Sequence, residues 1–306
     1  MGIYFERVSG DALPIGEFAE YLGPVTAERF CDSDGEYQRK YNVYKISSGQ
    51  RSFVLKKSDR READLYRTFL LKKGFAVPEY YGDTQREDGV WLLMEHIDGP
   101  DLRRFDGKAA LACAKTLAEI QNAYWECGLD GSRYQKYMER IHWRAQCLAG
   151  EPELAAAYRV FLERQETCPR TLSSGDFIQF NAVMRGGRAY MLDWAFGGVM
   201  PYALDAARLI AHGTEQPDPL GYGFPFYMDD SLRKAFLQAH YEGLGQKPGW
   251  ERYLADITLA VLNEYVEFLE EELNGLQAVP RGCGGEPENQ LYYKRARETA
   301  ARILSM

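Results

Sequence analysis

Apolar and polar positions follow two periods along the chain, and the change from one to the other divides it. Tyr41–Ser47 (YNVYKIS) and Ser52–Lys57 (SFVLKK) are strand-like runs on either side of Ser48-Gly49-Gln50, a hairpin signal. Glu79–Thr84 and Val90–Ile97 read as two further strands joined by the turn QREDG. Pro14–Leu22 reads as a short helix, with Pro near its start and Gly23-Pro24 closing it. Asp59–Lys73 reads as an amphipathic helix, with Ala63, Tyr66, Phe69 and Leu70 at helical spacing. The pattern predicts a small lobe over residues 1–97, of about five strands with one inserted helix.

Asp98-Gly99-Pro100 breaks the pattern, and the second lobe, residues 98–306, is expected to be mainly helical. Its predicted helices are Gly107–Cys127, Ser132–Leu148, Glu153–Glu166, Tyr202–His212, Asp229–Gly243, Trp250–Leu273 and Pro287–Leu304. One segment interrupts them. Thr171–Trp194 (TLSSGDFIQFNAVMRGGRAYMLDW) contains two short strands, Ala182–Met184 and Ala189–Leu192, turned by Arg185-Gly186-Gly187-Arg188.

At 306 residues the chain suits two lobes better than one core. A net charge of −8 argues against nucleic-acid binding, which needs a concentrated basic surface, and is compatible with a cationic small-molecule substrate. No apolar run approaches the roughly 20 residues that span a bilayer. The opening MGIYFERVSG lacks a signal-peptide pattern, and Glu6 stands where a myristoylation signal has Ser or Thr. The six cysteines are scattered, with no C-x-x-C pair. A cytoplasmic protein with reduced thiols, and neither nucleic-acid nor membrane partners, is expected.

The Thr171–Trp194 segment carries the candidate chemistry. Asp176 can take a proton from a substrate hydroxyl while Asn181, five residues on, ligates magnesium, and Asp193 at the end of a strand can hold the same ion against nucleotide phosphates. Each alone would be an ordinary turn residue. Lys56 ends the run FVLK, where its ammonium can reach phosphates, and Glu62 on the following helix can pair with it. Competing readings make Lys56 a solvent-facing strand residue, Lys57 the inward one after a one-residue slip, and Glu62 part of a capping box led by Asp59. Main-chain groups of Met94, Glu95, His96 and Ile97 can meet a purine edge, or these residues simply end a strand. Gly35, in the polar segment CDSDGEYQRK, reads better as a turn than as a phosphate contact. Asp205 opens a helix and suits its dipole. Glu264, Glu267 and Glu271 share one helix face, read as solvated in preference to a cation-binding rim. There is no G-x-G-x-x-G and no Walker A sequence, and the four histidines form no catalytic grouping.

With these residues in place, the chain resembles the aminoglycoside phosphotransferase and choline kinase family, from about Tyr41 to Ile210. The family's H-G-D-x-x-x-x-N looks like Ser174-Gly175-Asp176-Phe177-Ile178-Gln179-Phe180-Asn181, and its I-D-W like Leu192-Asp193-Trp194. Val54-Leu55-Lys56, Arg61-Glu62-Ala63, Met94-Glu95-His96-Ile97-Asp98-Gly99 and Leu204-Asp205-Ala206-Ala207-Arg208 are similar to its other patterns. Three departures stand out: Ser174 replaces the family's His, Ile178-Gln179 replaces a frequent His-Pro, and only six residues separate Lys56 from Glu62.

The resemblance implies an α+β, two-lobed, protein-kinase-like fold: an antiparallel-sheet N-lobe that binds nucleotide and a larger, mainly helical, catalytic and substrate-binding C-lobe. It implies Asp176 as catalytic base, Asn181 and Asp193 as magnesium ligands, and Lys56, held by Glu62, as the phosphate-binding lysine, with Met94–Ile97 as hinge. The expected activity is ATP- and magnesium-dependent phosphorylation of a hydroxyl on a small molecule, an aminoglycoside-like or other amino-sugar or amino-alcohol substrate being favoured. A nucleotide-binding pseudokinase acting through partners is the alternative.

Overall fold

A computed structural model describes residues 2–33, 38–103, 105–128, 131–215, 226–273 and 288–306. Its N-terminal part is one antiparallel sheet of six strands: β1 (Gly2–Val8), β2 (Val25–Ser33), β3 (Gln38–Ser48), β4 (Arg51–Ser58), β5 (Tyr80–Arg86) and β6 (Gly89–Glu95), in the order β1-β2-β3-β4-β6-β5. The hairpins at Ser48-Gly49-Gln50 and at the QREDG turn form as expected, with Ser48 opposite Arg51 and Arg86 opposite Gly89.

The sheet has six strands against about five expected, and β1 and β2 are the two that no run in the sequence identified. β1 is an edge strand, pairing only with β2, and the buried apolar residues of β2, Ala27 and Cys31, are small, so neither shows a strong apolar stripe. Pro14–Leu22 is not a helix. It makes one short 3₁₀ turn, Ile15–Phe18, preceded by another at Gly10–Ala12, and the two spread Leu13, Phe18 and Leu22 over one sheet face against Ile46, Phe53, Leu55 and Leu93. Gly10 and Gly16 also weaken any continuous helix there. The expected Asp59–Lys73 helix divides into α1 (Arg60–Leu65) and a π-helical turn, Tyr66–Leu70, that ends it early. Gly35 lies outside the described residues.

The other sheet face buries Val90, Leu92 and Met94 against Leu65, Tyr66 and Phe69. That core runs on without interruption into the C-terminal part, through α2 (Gly107–Ala123), α5 (Ala203–Ala211) and α6 (Asp230–Gly243). A second core joins α3 (Ser132–Cys147), α4 (Pro152–Thr167), α7 (Trp250–Leu273) and α8 (Glu288–Leu304). The helices predicted for the C-terminal part therefore all form, with their ends displaced by a few residues.

Four short strands surround the interrupting segment. β8 (Ala182–Arg185) and β9 (Arg188–Met191) make the predicted hairpin. β7 (Arg170–Ser173) and β10 (Gly198–Pro201), absent from the sequence reading, pair antiparallel on either side of it, with Leu172 opposite Val199. At four residues each they are too short to show a period. A last pair, β11 (Gly213–Thr214) and β12 (Phe226–Tyr227), is parallel.

The chain crosses from sheet to helices at Asp98-Gly99-Pro100. There the Met184 amide donates to the Pro100 carbonyl at 2.9 Å, and Asp101 bridges to Val183. Gly99 is needed for this approach, since a Cβ at that position would lie 2.1 Å from the Met184 carbonyl oxygen. Gly99→Ala is accordingly expected to lower unfolding stability by about 1–3 kcal/mol, the usual range for overpacking. Urea denaturation reads this directly, and a midpoint equal to wild type would show that the crossing yields freely.

Candidate active site

The site begins with strand alternation. Lys56 and Lys57 point to opposite faces of β4, and the structure settles which faces the cleft. Lys57 reaches Asp88 on the outer side, at 3.2 Å. The Lys56 Nζ, with only 12% of its side chain exposed, lies 2.8 Å from a Glu62 carboxylate oxygen and 2.8 Å from Asp193 Oδ1. Burial alone would lower the Lys56 pKa, but Glu62 and Asp193 outweigh it and the net shift is upward. The ammonium stays charged.

Glu62 is wholly buried at the end of that pair. Asp59 does cap α1, accepting the Glu62 amide at 3.1 Å, but the Glu62 side chain does not complete a capping box. Its oxygens instead take Lys56 Nζ, the Ser58 hydroxyl and, at 3.2 Å, the Trp194 amide. Capping and pairing thus coexist, because one uses the Glu62 backbone and the other its side chain. The six-residue separation works because β4 leads to α1 through the single residue Asp59.

Asp176 and Asn181 bracket a loop anchored from below by α5. Asp205, buried in the first turn of α5, accepts the Ser174 amide at 2.8 Å, the Gly175 amide at 3.1 Å and the Ser174 hydroxyl at 3.1 Å. Burial pushes its carboxyl up to about 6, in spite of those hydrogen bonds. Asp205 is therefore more than a dipole partner, since its carboxylate holds the loop. Ser174 makes the shorter contact open to a hydroxyl, with its Oγ 3.4 Å from the Asp176 amide. Gly175 has φ 74°, and a Cβ there would sit 2.4 Å from the Phe196 carbonyl oxygen. Loop and Phe196 segment are in backbone contact.

The hairpin brings the remaining residues round. Ala182 pairs with Met191, and the Leu192 amide donates to the Asn181 carbonyl at 2.8 Å, so Asn181 and Asp193 flank one end of it. The Asn181 amide nitrogen donates to the Asp176 main-chain oxygen and to Asp176 Oδ2, both at 2.9 Å. Among the described residues no hydrogen bond takes its Oδ1, which is left as an oxygen that could ligate a metal. Asp193, at φ 51°, is one of three non-glycine residues in the left-handed region among those described, and its side chain is 41% exposed. Strain of that kind is retained where it aims a functional group.

Among the described residues no group of three His, Cys, Asp or Glu could hold a metal by itself. An amide and a carboxylate oxygen at one hairpin end suit magnesium, which takes few protein oxygens and completes its shell with water and phosphate. Of the hinge residues, Glu95 donates its amide to Glu79 at 2.8 Å and His96 donates to Ser52 at 3.3 Å. Among the described residues no hydrogen bond takes the Ile97 amide, so it is the main-chain donor of that stretch left outside the sheet.

Two further residues were not among the sequence candidates for the site. Arg208, on α5, donates to Asp176 Oδ1 through Nε at 3.0 Å and Nη2 at 2.9 Å, and through Nη1 to Glu264 at 2.6 Å. The solvated-face expectation for Glu264, Glu267 and Glu271 fails at Glu264, which is 5% exposed. Glu267 pairs with the buried Arg144 at 2.8 Å, and the Glu271 side chain is outside the described set. Arginines on neighbouring helices meet the face that spacing alone left to water. The position of Arg208, one turn after Asp205 on the same helix, was the available signal.

Comparisons with known proteins give the family and the fold. The sequence profile of the phosphotransferase enzyme family (APH) matches residues 38–255. No curated protein sequence matches the chain. Among solved structures, amicoumacin kinase hAmiN, in complex with AMP-PNP, Ca2+ and Ami, superposes with a TM-score of 0.60 at 12% identity, covering 97% of this chain and 94% of its own. Choline kinase from Cryptosporidium parvum Iowa II gives 0.58 at 11% identity, with 96% and 95% covered. A thermostable mutant of aminoglycoside phosphotransferase APH(4)-Ia, in ternary complex with ADP and hygromycin B, gives 0.55 at 16% identity, with 95% and 97% covered. These likenesses establish the kinase-like fold.

The buried Glu264 carries a pH signature. Burial would raise its pKa, but Arg208 and His212 more than reverse this and hold the carboxyl below the glutamate range. A native pKa below the unfolded value means that the unfolded chain takes up the extra proton as pH falls. The stabilisation is present above pH 4.5, the ordinary glutamate value, and is lost as pH drops below it. Between about pH 6 and pH 3, wild type should lose more stability in urea melts than Glu264→Gln. Equal losses would remove the pair from the acid response.

Proposed function

The chain belongs to the phosphotransferase enzyme family, and on that premise we propose that it transfers the γ-phosphoryl group of ATP, with magnesium, to a hydroxyl of a small molecule. The observation that supports this most is the convergence of Lys56, Asp176, Asn181 and Asp193. Lys56 meets Asp193 across 137 positions of sequence, and Asn181 meets Asp176 across a tight loop.

Each side chain then has a task. Lys56, kept charged by Glu62, holds the nucleotide phosphates. Asn181 Oδ1 and the Asp193 carboxylate hold magnesium, which when bound neutralises the phosphate oxygens. The Ile97 main chain meets the purine edge, with Met94, Glu95 and His96 shaping the strand end beside it. Asp176 orients the acceptor hydroxyl and takes its proton as the O–P bond forms. Phosphoryl transfer of this kind depends on positioning and charge neutralisation more than on covalent participation by the protein.

The boundary between a nucleotide-binding lobe and an acceptor-binding lobe falls, on this reading, at Asp98-Gly99-Pro100. Amino sugars and amino alcohols are the acceptors to test first. That order rests on the kinase-like neighbours, among them a choline kinase and an aminoglycoside phosphotransferase holding hygromycin B. It does not rest on free acidic groups, because Glu264 and Glu267 are already paired with arginines. The pseudokinase alternative was motivated by Ser174 in the family's His position, and Ser174 holds both Asp205 and the Asp176 amide.

Magnesium-dependent ADP formation should appear with at least one member of a panel of choline, hygromycin B, kanamycin-type amino sugars and neutral sugars. Asp176→Asn and Asp193→Asn should each lower turnover by on the order of a hundredfold or more, the range for losing a proton acceptor or metal ligand. Nucleotide-induced thermal stabilisation with no turnover of any acceptor would instead favour the pseudokinase reading.

A further inference from the structure

The loop that carries the proposed base contains no cation. Residues 176–181 read Asp-Phe-Ile-Gln-Phe-Asn. The positive charge beside Asp176 comes from α5, where Arg208 reaches over with its side chain only 22% exposed. Two of its N–H groups converge on one oxygen, Asp176 Oδ1, and a third goes to Glu264. Had Arg208 served only to neutralise Glu264, its Nε and Nη2 would not both be committed to Asp176.

The accounting of lone pairs makes this arrangement selective. An ionised carboxylate offers about four acceptor sites, two on each oxygen. Arg208 fills both on Oδ1, and the Asn181 amide fills one on Oδ2. Among the described residues nothing takes the remaining site, on Oδ2. The same helix turn holds the loop's backbone through Asp205 and its Ser174 and Gly175 contacts. α5 therefore fixes both the position of the loop and the rotation of the carboxylate.

We infer that Arg208 is a positioning residue for the phosphotransfer, one that turns Asp176 so that Oδ2 alone faces the acceptor hydroxyl. Glu264 holds Arg208 in that pose from the far side, on α7. The inference rests on Asp176 being the proton acceptor, as proposed above. It adds that a residue with no substrate contact sets which oxygen receives the proton.

Turnover of MgATP by the 306-residue chain tests it, with water or a panel member that it phosphorylates as acceptor. Arg208→Ala should lower kcat on the order of tenfold to a hundredfold, the cost of about 1 Å of misplacement, and leave the KM for ATP within about twofold. Free guanidinium ion at non-denaturing concentration should restore part of the lost kcat in Arg208→Ala and none in Asp176→Asn. If Arg208→Ala proves unstable, the Arg208→Gln/Glu264→Gln double variant removes both buried charges together, and the same fall in kcat is expected. Loss of turnover in Asp176→Asn with wild-type kcat in the Arg208 variants would overturn the inference and leave the base assignment standing. Wild-type turnover in Asp176→Asn would remove the base, and the inference with it.

Discussion

Glu62 carries a charge with no exposed surface, and such a charge is tolerable only when it is fully paired. Its partners come from three places in the chain: Lys56 and Ser58 at the end of β4, and the Trp194 amide beyond the β8–β9 hairpin. The sheet, its helix and the Asp193 segment must be docked together for that carboxylate to be satisfied. Removing any partner leaves the others with an unmatched buried group, so the geometry of the upper half of the site is cooperative by necessity. The Lys56 ammonium extends the network to Asp193 and keeps its charge because two carboxylates face it.

Asp205 performs the corresponding task below the cleft. It is buried too, and is satisfied largely by main-chain amides, which have fixed directions and cannot rearrange cheaply. One buried carboxylate thus fixes Lys56 and the Trp194 backbone, and another fixes the loop that carries Asp176. Between them lies a continuous apolar core, running from the inner face of the sheet through α2 and α5. The substrate-facing groups sit on a scaffold whose polar anchors and apolar filling are mutually dependent.

Much of this was legible in the residues. The strand and helix periods located the sheet, its hairpins and every C-terminal helix, and the order of Lys56, Asp176, Asn181 and Asp193 anticipated their convergence. What escaped the sequence has physical reasons. β1 is an edge strand and the buried apolar residues of β2 are the small Ala27 and Cys31, while β7 and β10 are short and lack the Gly-Gly turn that marks the β8–β9 hairpin. Pro14–Leu22 has a helix-like composition, but covering a sheet face with Leu13, Phe18 and Leu22 favours separate turns. Arg208 and Glu264 are distant in sequence and individually look solvated. Helix-face reasoning treats one helix at a time, and it takes α5 packed on α7 to turn two surface-like charges into a buried pair.

The pairing of β7 with β10 gives the segment that carries Asp176, Asn181 and Asp193 an unusual boundary condition. Leu172 and Val199 are held opposite one another, so the chain between them leaves and returns at one point, a closed circuit. Its circumference is set by that closure and by the Gly175 contact with Phe196 across its interior. Extra residues inserted into the circuit would have to bulge without moving either end, and residues deleted from it would draw the two ligand-bearing corners apart. Divergence among chains built this way should therefore proceed inside the circuit by substitution at constant length, with changes of length displaced to segments that lie outside it.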